Sequence, residues 1–156
     1  MPVEVEHLDA PTDDTRELLG ELDAELNGEY APENRHGLSI DRLFQPGVSF
    51  FVASMDGAAV GCGGIAFCDG FAELKRMYVR PHARGRGVAR AIVARLEEEA
   101  RAHGIARLAL ETGDAQLAAI RFYEGAGFTR CTAFGTYASM PPGATARCIF
   151  FEKPIV

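Results

Sequence analysis

The sequence predicts an α/β fold of the mixed α+β kind, a single domain over residues 1–156 with one central sheet covered by helices. Three observations carry that expectation. Helical apolar spacing opens the chain. A run of β segments punctuated by Asp-Gly turns follows, and the second half alternates strand, helix, strand, helix, strand, strand. At 156 residues, with 47% hydrophobic and 24% charged residues, the chain has the size and composition of one globular domain.

Near the N-terminus, Leu18, Leu19, Leu22 and Leu26 recur at helical spacing behind Asp13 and Asp14 as capping residues, and Asn27-Gly28 ends the helix. Residues 29–37 (EYAPENRHG) read as a polar loop. Leu38, Ile40, Leu43 and Phe44 suggest a short second helix before Pro46-Gly47. Strands are expected over Val48–Met55, Ala58–Phe67 and Phe71–Val79, joined at Asp56-Gly57 and Asp69-Gly70 and stopped by Pro81. The clearest helix covers residues 87–103, with Val88, Ile92 and Leu96 on an apolar stripe and Glu97, Glu98 and Glu99 left for solvent. Gly104 closes it. A strand over Arg107–Glu111, a helix over Ala115–Ala126 and strands over Phe128–Phe134 and Arg147–Lys153 complete the order.

Composition excludes several classes. The net charge of −6 argues against nucleic acid or an anionic membrane as partner, since both need a basic footprint. No apolar run approaches the roughly 20 residues that span a bilayer. Met1–Glu6 has neither the basic nor the apolar region of a signal peptide, which points to a cytoplasmic protein. Cys62, Cys68, Cys131 and Cys148 form no C-x-x-C pair, and with four scattered histidines no metal site is expected. The thiols are expected to be reduced and mostly buried.

The charge is unevenly spread. Residues 1–34 hold 11 of the 22 acids and one base, Arg16. Residues 74–96 hold Lys75, Arg76, Arg80, Arg84, Arg86, Arg90 and Arg95 and no acid. Such an island suits either a solvated helix face or a bound anion. Its context favours the anion. Arg84-Gly85-Arg86-Gly87-Val88-Ala89 joins a strand to the N-terminus of the strongest helix. Glycines let a ligand approach backbone N–H groups, and the helix end is electropositive. No nucleoside-triphosphate P-loop is present, and the dinucleotide fingerprint fails at Arg90.

Those same residues resemble the [QR]-x-x-G-x-[GA] acetyl-CoA signature of the GNAT superfamily of N-acetyltransferases. Ala72–Val79 is similar to the fourth strand of that family. Gln116 through Phe128, with Tyr123, Gly127 and Phe128, resembles its [N]-x-x-A-x-x-[LF]-Y-x-x-x-G-F motif, Gln116 standing where Asn is usual. The resemblance implies a mixed, mostly antiparallel sheet splayed at its middle strands and flanked by helices on both faces. It implies acetyl-CoA as co-substrate, its pyrophosphate on Arg84, Gly85, Arg86, Gly87, Val88 and Ala89, with a further contact at Gln116. The pantetheine arm would run along Met77, Tyr78 and Val79.

It implies acetyl transfer to the primary amine of a small molecule, by direct attack in a ternary complex. Glu73 is the candidate base, four residues before Met77 and on its face unless a bulge intervenes; the alternative is a carboxylate paired with Lys75 or Arg76. Tyr123 is the candidate proton donor to the leaving thiolate, the alternative being a core tyrosine beside Phe122. Glu29, Tyr30, Asn34, Arg35 and His36 are candidate acceptor-pocket residues, with Arg35 or His36 suited to a substrate carboxylate. The loop at Ala138–Ala146 is placed to close over the site. A homodimer is compatible with the resemblance. Two other activities remain open, a non-catalytic acyl-CoA-binding module and an enzyme that acetylates protein N-termini or lysines.

Overall fold

The computed structural model describes residues 2–155. Seven strands form one sheet in the order β1-β2-β3-β4-β5-β7-β6: β1 Val3–Leu8, β2 Val48–Met55, β3 Ala58–Phe67, β4 Ala72–Val79, β5 Arg107–Gly113, β6 Thr129–Arg130 and β7 Cys148–Pro154. All neighbours are antiparallel except β4 and β5, the mixed and mostly antiparallel sheet expected. The helices are α1 Asp13–Glu29, α2 Ile40–Leu43, α3 Val88–Ala102 and α4 Leu117–Gly125.

Each face of the sheet carries its own core. Phe51, Ile65, Leu74, Leu108, Leu110 and Phe151 meet Val88, Ile92 and Leu96 of α3 and Ile120 and Tyr123 of α4. On the other face Phe50, Val52, Cys62 and Tyr78 meet Leu18, Leu19 and Leu22 of α1. A smaller cluster of Phe71, Ala109, Phe134 and Tyr137 continues beside it. Each fully buried side chain such as Phe50 or Phe51 contributes about 1.5–3 kcal/mol over exposure.

Three elements depart from the sequence reading. β1 was not expected, although Val3-Glu4-Val5-Glu6 alternates with period two; Val3 and Val5 pack on the α3-side core while Glu4 and Glu6 face outward. The cap of α1 is Thr12 rather than Asp13 or Asp14: its hydroxyl accepts from Thr15 N and Thr15 returns the bond, leaving the two acids in the first turn. The strand expected over Phe128–Phe134 shortens to Thr129–Arg130, because the chain then turns so that Phe134 and Tyr137 bury against Phe71 and Phe150. All four cysteines are free, but only Cys62 is buried, so the expectation of mostly buried thiols is corrected: β3 buries one, while the others lie at strand ends and on turns.

Two features position the site. β4 and β5 pair only from Ala72–Leu108 to Leu74–Leu110 and then part, leaving the lower edge of β4 without a strand neighbour. Opposite Gly63, β4 carries a bulge between Lys75 and Tyr78, and Arg76 stands there in the left-handed region at φ 56°.

Candidate functional site

An open groove of about 650 Å³ runs from the end of β4 to α4, lined by Met77, Tyr78, Val79, Arg84, Gly85, Gly87, Val88, Ala89, Gln116, Phe122 and Tyr123 among others. Every residue expected to hold the cofactor lines it except Arg86, which is exposed on the same loop. Gly85 and Gly87 adopt φ of 77° and 83°, a region that side-chain-bearing residues rarely enter, so the turn itself requires glycine there. Gly87 caps α3 with no side-chain bond to the helix. Among the described residues, the N–H groups from Gly85 to Arg90 have no protein acceptor. Six consecutive free donors at a helix N-terminus form a cradle for an oxyanion.

The basic island is mostly occupied. Arg76 pairs with Asp23, Arg80 with Glu17 and Glu21, Arg84 with Glu25, Lys75 with Glu73 and Arg95 with Glu99. Four of these five cations are taken up by acid from α1 or β4 rather than by a ligand; of the island's seven cations, Arg86 and Arg90 make no ion pair or side-chain hydrogen bond among the described residues. Arg84 also donates to Val79 O at 2.9 Å, fixing the loop onto the end of β4.

A smaller pocket of about 150 Å³ adjoins the groove where β4 and β5 part, lined by residues of both strands. Leu22, Met77, Gln116, Ala119 and Tyr123 line both spaces and form the junction. Tyr30, Asn34, Arg35 and His36 of the expected acceptor loop line this inner pocket; Glu29 lines the groove instead. Glu29 and Tyr30 meet Arg147, and Tyr30 Oη accepts from Ala115 N at 3.0 Å, tying the end of α1 to the start of α4. Asn34 Nδ2 donates to Gly143 O and His36 Nε2 lies 2.7 Å from Ala144 O, so the 141–147 loop rests on the acceptor loop.

Glu73 lines the inner pocket, and the bulge places it on the opposite face of β4 from Met77: Leu74 and Met77 pack on the α3 side, while Lys75 and Tyr78 serve the α1 side. Its Oε2 accepts from Lys75 Nζ at 3.2 Å and Tyr137 Oη at 2.6 Å, and Lys75 also reaches His36 O. Burial, reinforced by the Glu73 charge, pushes the Tyr137 phenol up, so it stays a donor.

Tyr123 is buried, with its ring edges against Phe122 and Phe128, and its hydroxyl has no protein partner among the described residues. Burial holds its pKa high, so at neutral pH it carries a proton at the junction.

Glu111 of β5 also lines the inner pocket, and burial raises its carboxyl above the ordinary carboxylate range. Sequence reasoning left it out of the site, as it did Tyr137. Its signal was present in the run Leu110-Glu111-Thr112-Gly113, an acid where an apolar strand opens. Tyr137 gave none, lying in a stretch read as strand end and loop.

A family model described as Acetyltransferase (GNAT) family matches residues 13–128. The chain is 40% identical over 141 residues to the IAA acetyltransferase of Azospirillum brasilense, covering 89% of each. It is 36% identical over 112 residues to the N-acetylaspartate synthetase of Rattus norvegicus, covering 69% of this chain and 37% of that one. The solved structure of the PaiA N-acetyltransferase of Thermoplasma acidophilum, in complex with coenzyme A, matches with a TM-score of 0.71 at 16% identity over 99% of both chains; that likeness is one of fold.

Proposed function

The chain belongs to the GNAT acetyltransferase family, and from that premise we propose that it acts as one acetyltransferase domain that moves an acetyl group from acetyl-CoA to the primary amine of a small molecule. The observation that carries the reading is the junction: a long groove ending in free backbone donors meets a small pocket carrying Glu73, Glu111 and Lys75 at Tyr123 and Met77. The residues present fit acetyl-CoA. Gly85–Arg90 would hold its pyrophosphate, and the unpaired edge of β4 near Met77–Val79 would hold its arm, with Gln116 at the far wall. Acetyl-CoA supplies an acetyl group activated as a thioester.

An amine attacks only as the free base, so the inner pocket must take up a proton. Two carboxylates face it. Glu73, the sequence candidate, already accepts from Lys75 and Tyr137. Glu111 lines the same pocket with no ion pair to a cation among the described residues, and burial raises its carboxyl above the ordinary carboxylate range, which makes it the better proton acceptor of the two. We therefore assign proton uptake to Glu111, with Glu73, Lys75 and Tyr137 as a fixed pocket floor. The Tyr123 hydroxyl donates to the departing thiolate. Both substrates have separate, contiguous spaces, which supports direct attack in a ternary complex.

The test is thiol release from acetyl-CoA with pooled amines, amino acids, polyamines and aminoglycosides, followed by mass spectrometry of the product. Acetylated amine is the expected result. Coenzyme A binding without turnover of any member would instead favour a non-catalytic acyl-CoA module.

A further inference from the structure

The bulge in β4 turns Arg76 toward α1 at the cost of a left-handed backbone that a residue with a Cβ rarely adopts. Its side chain is only 6% exposed. Nη2 donates to Asp23 Oδ1 at 2.7 Å and makes a long contact to Leu19 O. Nε is buried with no acceptor, and Nη1 has none among the described residues. Arg35 meets the same Asp23 oxygen at 2.8 Å, bonds Asn27 Oδ1 through Nη1, and likewise leaves Nε buried and unpaired. Two guanidiniums thus share one carboxylate oxygen, an excess of one positive charge beside unpaired donors. A buried donor without a partner is costly, which leaves both guanidiniums open to a further acceptor.

That acceptor has a place. Arg35, Gly37 and Arg76 all line the inner pocket. Gly37 has no side chain where one would meet Arg76 Nη1 at 2.6 Å, which leaves the guanidinium its room. The remaining charges divide simply. Lys75 and Glu73 neutralise each other, and Glu111 stands on β5, across the opening between the strands and close enough to raise the Tyr123 pKa.

We propose that the acceptor is an amino acid, an amine that also carries a carboxylate, with Arg35 and Arg76 holding the carboxylate and the amine directed to Glu111 and the Tyr123 junction. A planar guanidinium pair matches a carboxylate in geometry and charge. The proposal rests on the acetyl-transfer reading and narrows its substrate.

The experiment compares matched pairs, L-amino acids against their carboxamides, at saturating acetyl-CoA. A site built for a polar group rejects the analogue lacking it strongly, so a preference for the acid of about 100-fold or more in kcat/KM is expected for the best pair. Arg35→Gln and Arg76→Gln should cut that preference to under about 10-fold, with Arg76→Lys retaining part of it. In parallel, calorimetry with coenzyme A present should show N-acetyl-amino acids binding and their amides not. Equal turnover or equal binding of acid and amide overturns the proposal, as does failure of every acid in the panel to bind. If Arg76→Gln does not fold, Arg35→Gln and the wild-type acid–amide pair still decide. Acetylation of polyamines or aminoglycosides without acid preference refutes the amino-acid pocket alone. Absence of coenzyme A binding refutes the acetyltransferase reading beneath it.

Discussion

Tyr123→Phe removes a single hydroxyl from the junction of groove and pocket. The ring is held by Phe122, Phe128 and Phe151, contacts that phenylalanine keeps. The hydroxyl has no protein partner among the described residues, so its loss breaks no hydrogen bond in the free protein, and stability should move by under about 0.5 kcal/mol. The donor matters only when negative charge gathers on the departing sulfur. A hydrogen bond to a charged group is worth about 1.5–3 kcal/mol, which at 1.4 kcal/mol per decade corresponds to a fall in kcat of about 10- to 150-fold. KM for acetyl-CoA should stay within about threefold, because the interaction strengthens along the reaction rather than on binding. Steady-state thiol release, with calorimetry for coenzyme A affinity and for Tm, measures all three. An unchanged kcat, or equal losses in kcat and coenzyme A affinity, would return Tyr123 to a packing role.

Three further outcomes are expected. Gly87→Val must adopt φ 83° with a branched side chain and place that side chain where nothing of the protein stands, so it should weaken coenzyme A binding at least about 10-fold by calorimetry; unchanged affinity would remove the loop from the cofactor site. Glu111→Gln should flatten the acid limb of the pH profile of kcat/KM while Glu73→Gln leaves its shape, since Glu111 is the group assigned to take up the proton; the reverse pattern restores Glu73 as base. Because the folded carboxyl is raised, the native state binds the proton more tightly than the unfolded chain, and stability falls as pH rises through the folded pKa. Glu111→Gln should therefore raise Tm relative to wild type near pH 8 and not near pH 4. Gly61→Ala would put a Cβ 2.8 Å from Tyr78 O, a backbone atom that cannot step aside, costing about 1–3 kcal/mol and a few degrees of Tm by calorimetry; an unchanged Tm refutes the packing argument.

What could be read from the sequence was local. Asp56-Gly57 and Asp69-Gly70 announce β2 through β4, and the stripe of Val88, Ile92 and Leu96 announces α3, because turn chemistry and periodicity act over a few residues. The oxyanion cradle was legible for the same reason: its donors and its glycines are consecutive. The inner pocket was legible only in part: Tyr30, Asn34, Arg35, His36 and Glu73 were named from the sequence and line it, but its side-chain pairings were not foreseen. Asp23 and Arg76 are 53 residues apart, and Glu73 and Tyr137 are 64 apart, so no spacing rule joins them. The bulge is set by Arg76, a residue type with no preference for the left-handed region, and it alone reverses which side chains share the face of Glu73.

Charge shows how the two levels meet. The acid-rich start and the acid-free stretch are separate territories along the chain, yet in the fold they are the two sides of one contact between α1 and the end of β4. Glu17, Glu21, Asp23 and Glu25 take up Arg80, Arg76 and Arg84 there. The exposed Arg84–Glu25 pair contributes only about 0–1 kcal/mol, so its consequence is less stability than selection of which cations stay free. Those left over in this region stand where the two proposed ligands would bind. Arg86 and Arg90 remain beside the cradle, and the surplus charge of Arg35 and Arg76 over Asp23 remains inside the pocket. A charge-removing Asp23→Asn would put this to a direct test. Freed of its shared carboxylate, the guanidinium pair should hold an N-acetyl-amino acid more tightly by calorimetry while coenzyme A affinity stays the same. A change confined to coenzyme A would mean that the surplus belongs to the groove instead.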